Sequence, residues 1–441
     1  MQKFFALIHA LWTAIFPPPE VPPLPVITTP PVSPPPEPPP PPVVEPISLP
    51  ALSTRVGSRW FHTSDGTLVD YREATAMGIY RLWLDGDDEK IDALFSYFQS
   101  RGITAIRPLL NLDSAYWAQQ RRLNSYLEGD HFFGQLVPFL RHAAEYGLYV
   151  RLCLFGGVEP FVGHQLDWVE RPDVVTGDWE AKNAMHAYLD QVVCTTRDET
   201  NLLYEIANEP AQIGFGSDSA IVKELGRHCN ELAPNRLMNF GCATDEDNLF
   251  YNSAPAQCFD EHLARHDEWD GHAAIKRLIE HAGLDQQERP FLSGEWMNLG
   301  TGGIESTACA LASAAMLRLK KGIPAFHARC LLWGDVPDEP TDACLHAWSR
   351  ALDLIPMETT GQGCNGHWSC SPLSEEIFPP TEEATDDWHG PVRCFGLDGP
   401  DGYLGVSLRE PAGYALQGHR RPIETLTLER WGDWQSRIFR A

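Results

Sequence analysis

The sequence predicts an α/β fold: a (β/α)8 or TIM barrel with a proline-rich N-terminal linker and a small C-terminal β appendage. Three observations predict it. After Leu52, short apolar runs alternate with stretches whose apolar residues recur at helical spacing, the pattern of repeated βα units and a parallel sheet. Eight such runs can be counted. A chain of 441 residues, 43% apolar, also has the length and composition for one barrel of roughly 250 residues plus appendages.

The first sixteen residues, MQKFFALIHALWTAIF, set one Lys before an apolar run that is short for a membrane span and lacks a small-x-small cleavage site. They read as an uncleaved anchor, an atypical signal, or a short apolar helix docking into another protein of an envelope or virus particle. Residues 17–52 are dominated by proline, which supports neither helix nor sheet ladder, and read as a stiff polyproline II spacer. Residues 53–358 are assigned to the barrel and 359–441 to the β-rich appendage.

The first strand is expected at IYRLWL, Ile79 to Leu84, followed by a helix from about Asp87 with Ile91, Leu94, Phe95 and Phe98 on one face and a stop at Gly102. ITAIRPLL is the second strand. A helix with Leu136, Phe139, Leu140 and Ala143 on one stripe ends at Gly147 and leads into the third, LYVRLCLF. A helix around Ala184 to Val193 feeds the fourth, NLLYEIANEP. The fifth is RLMNFG, the sixth lies within AQCFDEHLARH, the seventh is RPFLSGEW and the eighth AFHARCLLW. A last helix runs through LHAWSRALDLI. From about Gly361 the texture turns to Cys, Gly, Pro and short alternating runs such as GYLGVSL and IETLTLERW.

Of the eleven cysteines, Cys153, Cys258 and Cys330 sit in runs that read as buried strands and act as small core residues. Cys364 and Cys370, in GCNGHWSC, are close enough for a disulfide; with His367 they form a C-x2-H-x2-C pattern that could hold zinc if a further ligand such as Cys394 completed it. The many cysteines do not favour a strongly oxidising destination. The formal charge of −26 argues against nucleic acid or another polyanion and favours a neutral or cationic substrate, unless the charge serves solubility alone.

In such a barrel the chemistry sits at the carboxyl ends of the strands. Two carboxylates stand there. Glu209 follows the apolar run Leu202 to Ala207, preceded by Asn208 and followed by Pro210; Glu295 follows PFLSG and precedes Trp296. Hydrolysis of a glycosidic bond needs such a pair, one carboxyl group arriving protonated to protonate the leaving oxygen and the other ionised to attack the anomeric carbon. A separation of about 5 Å permits the covalent route and a wider gap admits water.

The segments YEIANEP and PFLSGEW resemble the strand-four and strand-seven motifs of the clan A glycoside hydrolases, especially the cellulase- and mannanase-like family 5, over roughly residues 57–354. The resemblance implies a retaining hydrolase of a β-linked glycan that needs no cofactor. It implies Glu209 as acid/base, Glu295 as nucleophile, and Asn208 as donor to a sugar 2-hydroxyl. Arg107, in ITAIRPLL, takes the place of an arginine that supports the ionised nucleophile, and Trp333 in LLWGD the place of an aromatic floor under a pyranose. DEHLARHDEW offers His262 or His266 near the nucleophile, of which His266 fits the strand end better. Trp296, Trp83, Trp117 and Trp168 lie at or after strand ends and could extend the platform. One departure is LCLFGGVEP, where Phe155 and two glycines stand in place of a histidine that many family 5 members carry, so the clan is better supported than the family.

Each of these residues has a plainer reading: a buried arginine paired with a nearby acid, a core tryptophan, a histidine held by hydrogen bonds. Two other functions remain open at this point. A non-catalytic carbohydrate-binding or structural barrel would suit a chain attached to a virion or cell-envelope assembly, although two buried acids serve catalysis better than binding. A zinc enzyme using His262, His266 and His327 lacks a helical H-E-x-x-H pattern. The expected location is extracytoplasmic, attached to the envelope, or alternatively on a virion.

Overall fold

The structure, a computed structural model, describes residues 48–111, 129–162, 175, 177–210, 213–215, 220–241, 256–260, 262, 289–296, 314, 318, 322–328, 330–354 and 357, together with the backbone of strands between 369 and 440. Residues 1–47, with the apolar segment and most of the proline-rich stretch, lie outside the described residues. Among the described residues no helix is long and apolar enough to cross a membrane.

A short hairpin, β1 (Leu52–Ser53) against β2 (His62–Thr63), comes first. Eight parallel strands follow: β3 (Glu73–Thr75), β4 (Ala105–Arg107), β5 (Tyr149–Phe155), β6 (Leu202–Ala207), β7 (Met238–Asn239), β8 (Phe259–Asp260), β9 (Phe291–Trp296) and β10 (Ile323–Phe326). Their order, β7-β6-β5-β4-β3-β10-β9-β8, is sequence order wrapped round a nearly closed barrel whose seam lies between β7 and β8. Gln257 spans the seam: its backbone N–H donates to the Met238 carbonyl at 3.0 Å, and its side-chain oxygen accepts from the Met238 N–H at 2.8 Å.

The helices alternate with these strands: α1 (Ile79–Leu84), α2 (Asp88–Ser100), α3 (Asp130–Gly134), α4 (Leu136–Glu145), α5 (Glu159–Val162), α6 (Trp179–Thr196), α7 (Ala220–Leu232) and α8 (Glu339–Leu354). The apolar stripes expected on α2 and α4 are buried. Gly102 and Gly147, just past the two helices, take φ of 69° and 74°, the left-handed turn that a side chain resists. α6 starts at Asp178, whose carboxylate accepts from the Ala181 N–H at 2.9 Å. Removing that cap by Asp178→Ala is expected to lower stability by about 1 kcal/mol, read as a shift in the urea midpoint with unchanged slope.

Two expectations are corrected. The run Ile79–Leu84 is helix α1 and not the first strand, which is the three-residue β3 at Glu73–Thr75. Hydropathy selects the greasier segment, whereas β3 carries a glutamate into the barrel interior and so has no apolar signature. Trp83 therefore packs on α4, its ring centroid 6.0 Å from Phe139 and 5.2 Å from His142, and ends no strand. The eighth strand stops at Phe326, and Leu331–Trp333 forms a single 3-10 turn closed by Gly334 at φ 70°.

Period-two alternation sorts β5 cleanly. Val150, Leu152 and Leu154 join the large outer core under the helices, while Tyr149, Arg151 and Cys153 occupy successive interior layers. The floor layer is apolar: Ala105, Tyr149, Leu203, Cys258, Leu292 and Ile323, plugged by Trp60 and Phe61 of the hairpin. Met77, Leu109, Cys153 and Leu332 form an apolar layer toward the mouth. Between them lies a layer of charge. The backbone of five further strands, β11 (Ser369–Pro372), β12 (Cys394–Gly399), β13 (Gly402–Ser407), β14 (Glu424–Trp431) and β15 (Trp434–Arg440), pairs antiparallel in the order β11-β12-β13-β15-β14.

Candidate active site

The charged layer is built by one inward-facing residue on each of five strands: Glu73 on β3, Arg107 on β4, Arg151 on β5, Glu205 on β6 and Asp260 on β8, all buried. Buried charge survives only when paired. Arg107 lays its fork on Glu205, with Nε to Oε2 at 2.7 Å and Nη2 to Oε1 at 2.6 Å, and Nη2 also donates to Asn208 Oδ1 at 2.7 Å. A guanidinium only donates, so this contact fixes the orientation of the Asn208 amide, its oxygen toward Arg107.

A second ladder leads to Glu209. The Tyr71 hydroxyl donates to Glu73 Oε2 at 2.9 Å, and Arg151 Nε donates to the same atom at 2.8 Å. Arg151 also bonds Glu73 Oε1 through Nη2 and Asp260 Oδ2 through Nη1, which lies 3.4 Å from Glu205 Oε2 and so links the two ladders. Asp260 Oδ2 then meets His262 Nε2 at 3.2 Å, and His262 Nδ1 meets Glu209 Oε1 at 3.0 Å.

The charges within the ladder respond to these neighbours. Burial opposes ionisation of Asp260, but Arg151 and then His262 outweigh it and hold the carboxyl well below the ordinary range. Burial pushes the Glu73 carboxyl up, and Arg151 offsets only part of that rise. Burial likewise works against the Arg151 charge, yet Asp260, Glu73 and Glu205 more than compensate and bind its proton tightly. Tyr71 is pushed well above its ordinary value by burial and then by Glu73, so its hydroxyl stays a donor.

Glu209 sits two residues past β6, 1% exposed, with φ of +44°. It is the only non-glycine with positive φ among the described residues. Such a conformation costs about 1–3 kcal/mol and persists where the surroundings over-determine it, characteristically at functional sites. Here the preceding Asn208 N–H is tied to the Phe155 carbonyl at 2.9 Å, and Pro210 follows. Gly241, past β7, makes room for the turn: at φ 97° a Cβ on it would lie 1.6 Å from the Ala207 carbonyl oxygen.

Glu295 is the fifth residue of the six-residue β9, at its carboxyl end. Against β10, Ser293 pairs with Pro324 and Trp296 with Phe326, so β9 carries one extra residue across 294–295. This bulge interrupts the strict alternation at the position of Glu295, a backbone feature that recurs beside active sites.

Of the residues expected in the site, Arg107, Asn208 and Glu209 are brought together, with Glu295 and Trp296 at the end of a strand of the same barrel. Trp333 is half-buried in the 3-10 turn after β10 and packs on the mouth-side layer. His266, Trp117, Trp168, Cys364 and His367 lie outside the described residues, and Cys370 and Cys394 are described only as backbone of β11 and β12. His262, the other histidine of its segment, is in contact with Glu209. His327 is buried just past β10.

Sequence reasoning passed over Tyr71, Glu73, Arg151 and Glu205. The signal for the last two was present: a single charged residue at inward parity within an otherwise apolar run, YVRLCLF or LLYEIA. Glu205, Asp260 and His262 present ligand atoms within 4.8 Å of one another, as a metal site would. Their oxygens are already engaged, Glu205 by Arg107 and Asp260 by Arg151, and a divalent cation there would sit against two guanidinium charges. The donor set fits an ion-pair lattice better than a cation.

No protein-family model and no curated protein matches the sequence. The fold is similar to solved glycoside hydrolases. One described simply as a glycoside hydrolase has a TM-score of 0.54 at 13% identity, covering 82% of this chain and 84% of its own. A family 5 glycoside hydrolase from Bacteroides vulgatus has a TM-score of 0.53 at 11% identity, covering 88% and 93%. An endo-1,4-β-mannanase from Rhizomucor miehei has a TM-score of 0.51 at 14% identity, covering 68% and 99%. The chain is thus structurally similar to family 5 glycoside hydrolases, and at these identities the likeness is one of fold.

Proposed function

We propose that the chain is a retaining glycoside hydrolase that cleaves a β-linked glycan by double displacement, with Glu209 as acid/base and Glu295 as nucleophile. The observation that carries this reading is the treatment of Glu209: a buried carboxyl, held in a strained backbone conformation at the end of the fourth barrel strand, beside an Asn208 oriented by Arg107 and in contact with His262. A structural carboxylate needs none of this strain. Glu295 ends the seventh strand, the other position such a pair requires.

In the first step the Glu295 carboxylate attacks the anomeric carbon while Glu209 gives its proton to the leaving oxygen, and the bond to that oxygen breaks. In the second, Glu209 takes a proton from water as its oxygen displaces Glu295. Asn208, with its amide oxygen committed to Arg107, turns its donor end to a sugar hydroxyl, and Trp333 and Trp296 supply apolar surface for a pyranose. Residues 1–52 tether the barrel to an envelope or virion surface. Similarity to a β-mannanase makes β-mannans the first substrates to try.

The test is hydrolysis of aryl β-glycosides and of β-mannan, β-glucan and chitin-type polymers by the full chain and its Glu295→Ala variant. Turnover of one substrate class that vanishes in the variant is expected. Turnover that persists, or none on any member alongside retained glycan binding, would replace the hydrolase with a binding barrel.

A further inference from the structure

We propose that Asp260, itself held by Arg151, fixes the hydrogen-bonding state of His262 so that His262 and Glu209 share a single proton. His262 becomes the proton store of the acid/base, and Asp260 and Arg151 are positioning residues acting through it. The proposal rests on the assignment of Glu209 as acid/base.

The argument follows from donors and acceptors. An ionised carboxylate only accepts, and Asp260 Oδ2 accepts from Arg151 Nη1. The ring nitrogen facing that oxygen, His262 Nε2 at 3.2 Å, therefore carries a hydrogen. In a neutral imidazole the other nitrogen, Nδ1, is then a lone pair, and it faces Glu209 Oε1 at 3.0 Å. Glu209 must supply the hydrogen across that gap as a carboxylic acid. With Glu209 ionised, the same contact requires an imidazolium. Carboxylic acid with imidazole and carboxylate with imidazolium are two arrangements of one proton.

The surroundings favour keeping that proton. The groups packed around the pair are Tyr71 and Glu73 from the β3 side, Arg107 on β4, Arg151 on β5, Glu205 on β6 and Asp260 on β8. Three carboxylates against two guanidinium groups leave one net negative charge beside His262 and Glu209. Once Glu209 has given its proton to a leaving oxygen, a carboxylate and an imidazole lone pair face each other. Their repulsion favours recapture of a proton from the water that attacks the anomeric carbon, so one ladder keeps the acid protonated before the first step and strengthens the base in the second. Without Asp260 the imidazole is free to place its hydrogen on Nδ1, donate to an ionised Glu209 and leave the site without an acid.

Two readouts test this on the full chain. Long-range proton–nitrogen NMR spectra, with the His262 signals assigned by their loss in His262→Gln, are expected to show Nε2 protonated between pH 6 and 8; a neutral ring protonated on Nδ1 would overturn the proposal. In Asp260→Asn the alkaline limb of kcat/KM is expected to move at least about one pH unit lower, tenfold in activity on that limb, because the pair loses the anion that holds its proton. An unchanged limb in a folded variant would overturn it too. A chain that turns over no glycan removes the hydrolase reading through the substrate panel. The tautomer measurement then still decides the shared proton, Nε2–H supporting it and Nδ1–H overturning it.

Discussion

Glu295→Ala is expected to lower kcat on a natural β-glycoside by at least about a thousandfold, with azide restoring turnover of an activated aryl glycoside as the α-glycosyl azide. The stereochemistry is the informative part. On the proposed roles, removing the Glu295 carboxyl lets a small anion enter the vacated space and attack the anomeric carbon directly, inverting it. Glu209→Ala leaves the nucleophile in place, so the glycosyl-enzyme still forms from an activated substrate. Azide then enters on the opposite side and yields the β-glycosyl azide. Proton NMR of the products separates the two cases. The reverse pattern would exchange the two roles, and equal activity of both variants with the parent would remove Glu209 and Glu295 from the chemistry. Glu209 is the more structural of the two positions, because its φ of +44° is held by Asn208, Pro210 and Gly241, and alanine there keeps a Cβ in a left-handed conformation.

Arg151→Leu is expected to cost about 3–5 kcal/mol of folding stability, because it strands Glu73 and Asp260 in a dry interior. The double variant Arg151→Leu/Glu73→Leu should recover part of that loss, with a coupling of about 0.5–3 kcal/mol in a double-mutant cycle read by urea unfolding. Recovery is incomplete because Asp260 remains beside His262. The two acids also give opposite pH dependences in the parent. Asp260, depressed in the fold, contributes stability that is present above its unfolded value and lost as pH falls through the folded one. Glu73, raised in the fold, contributes stability that is present below its unfolded value and lost as pH rises through the folded one. In Arg151→Leu both carboxyls are raised, so the deficit should shrink as pH falls below about 5. A deficit independent of pH would mean that lost packing, and not stranded charge, causes it.

Most of the barrel was legible in the sequence. Strands β4 to β9 lie within the segments expected of them, because each is an apolar run bounded by turns, and the stripes on α2 and α4 were readable for the same reason. The first strand was not legible. β3 offers three residues, one of them a buried glutamate, next to the far greasier IYRLWL, which folds as a helix with Tyr80 buried against Phe132 and Phe139. In the site, Glu209 could be singled out at a strand end, and Asn208 and Arg107 through the resemblance of their segments to known strand-end motifs. Arg151 and Glu205 were readable as lone charges at inward parity within apolar runs but were passed over, whereas Tyr71 and Glu73 lie just before and at the start of a strand with no apolar signature.

What the sequence determined by itself was periodicity: which segments alternate with period two, which recur at helical spacing, and which acids stand where a strand stops. These are properties of neighbours along the chain. The partnerships of buried charges were decided by the tertiary structure alone. Arg151 meets Glu73 across 78 residues and Asp260 across 109, and Glu209 meets His262 across 53. Each of these groups would be too costly to bury singly, and only barrel closure brings its counter-charge within reach.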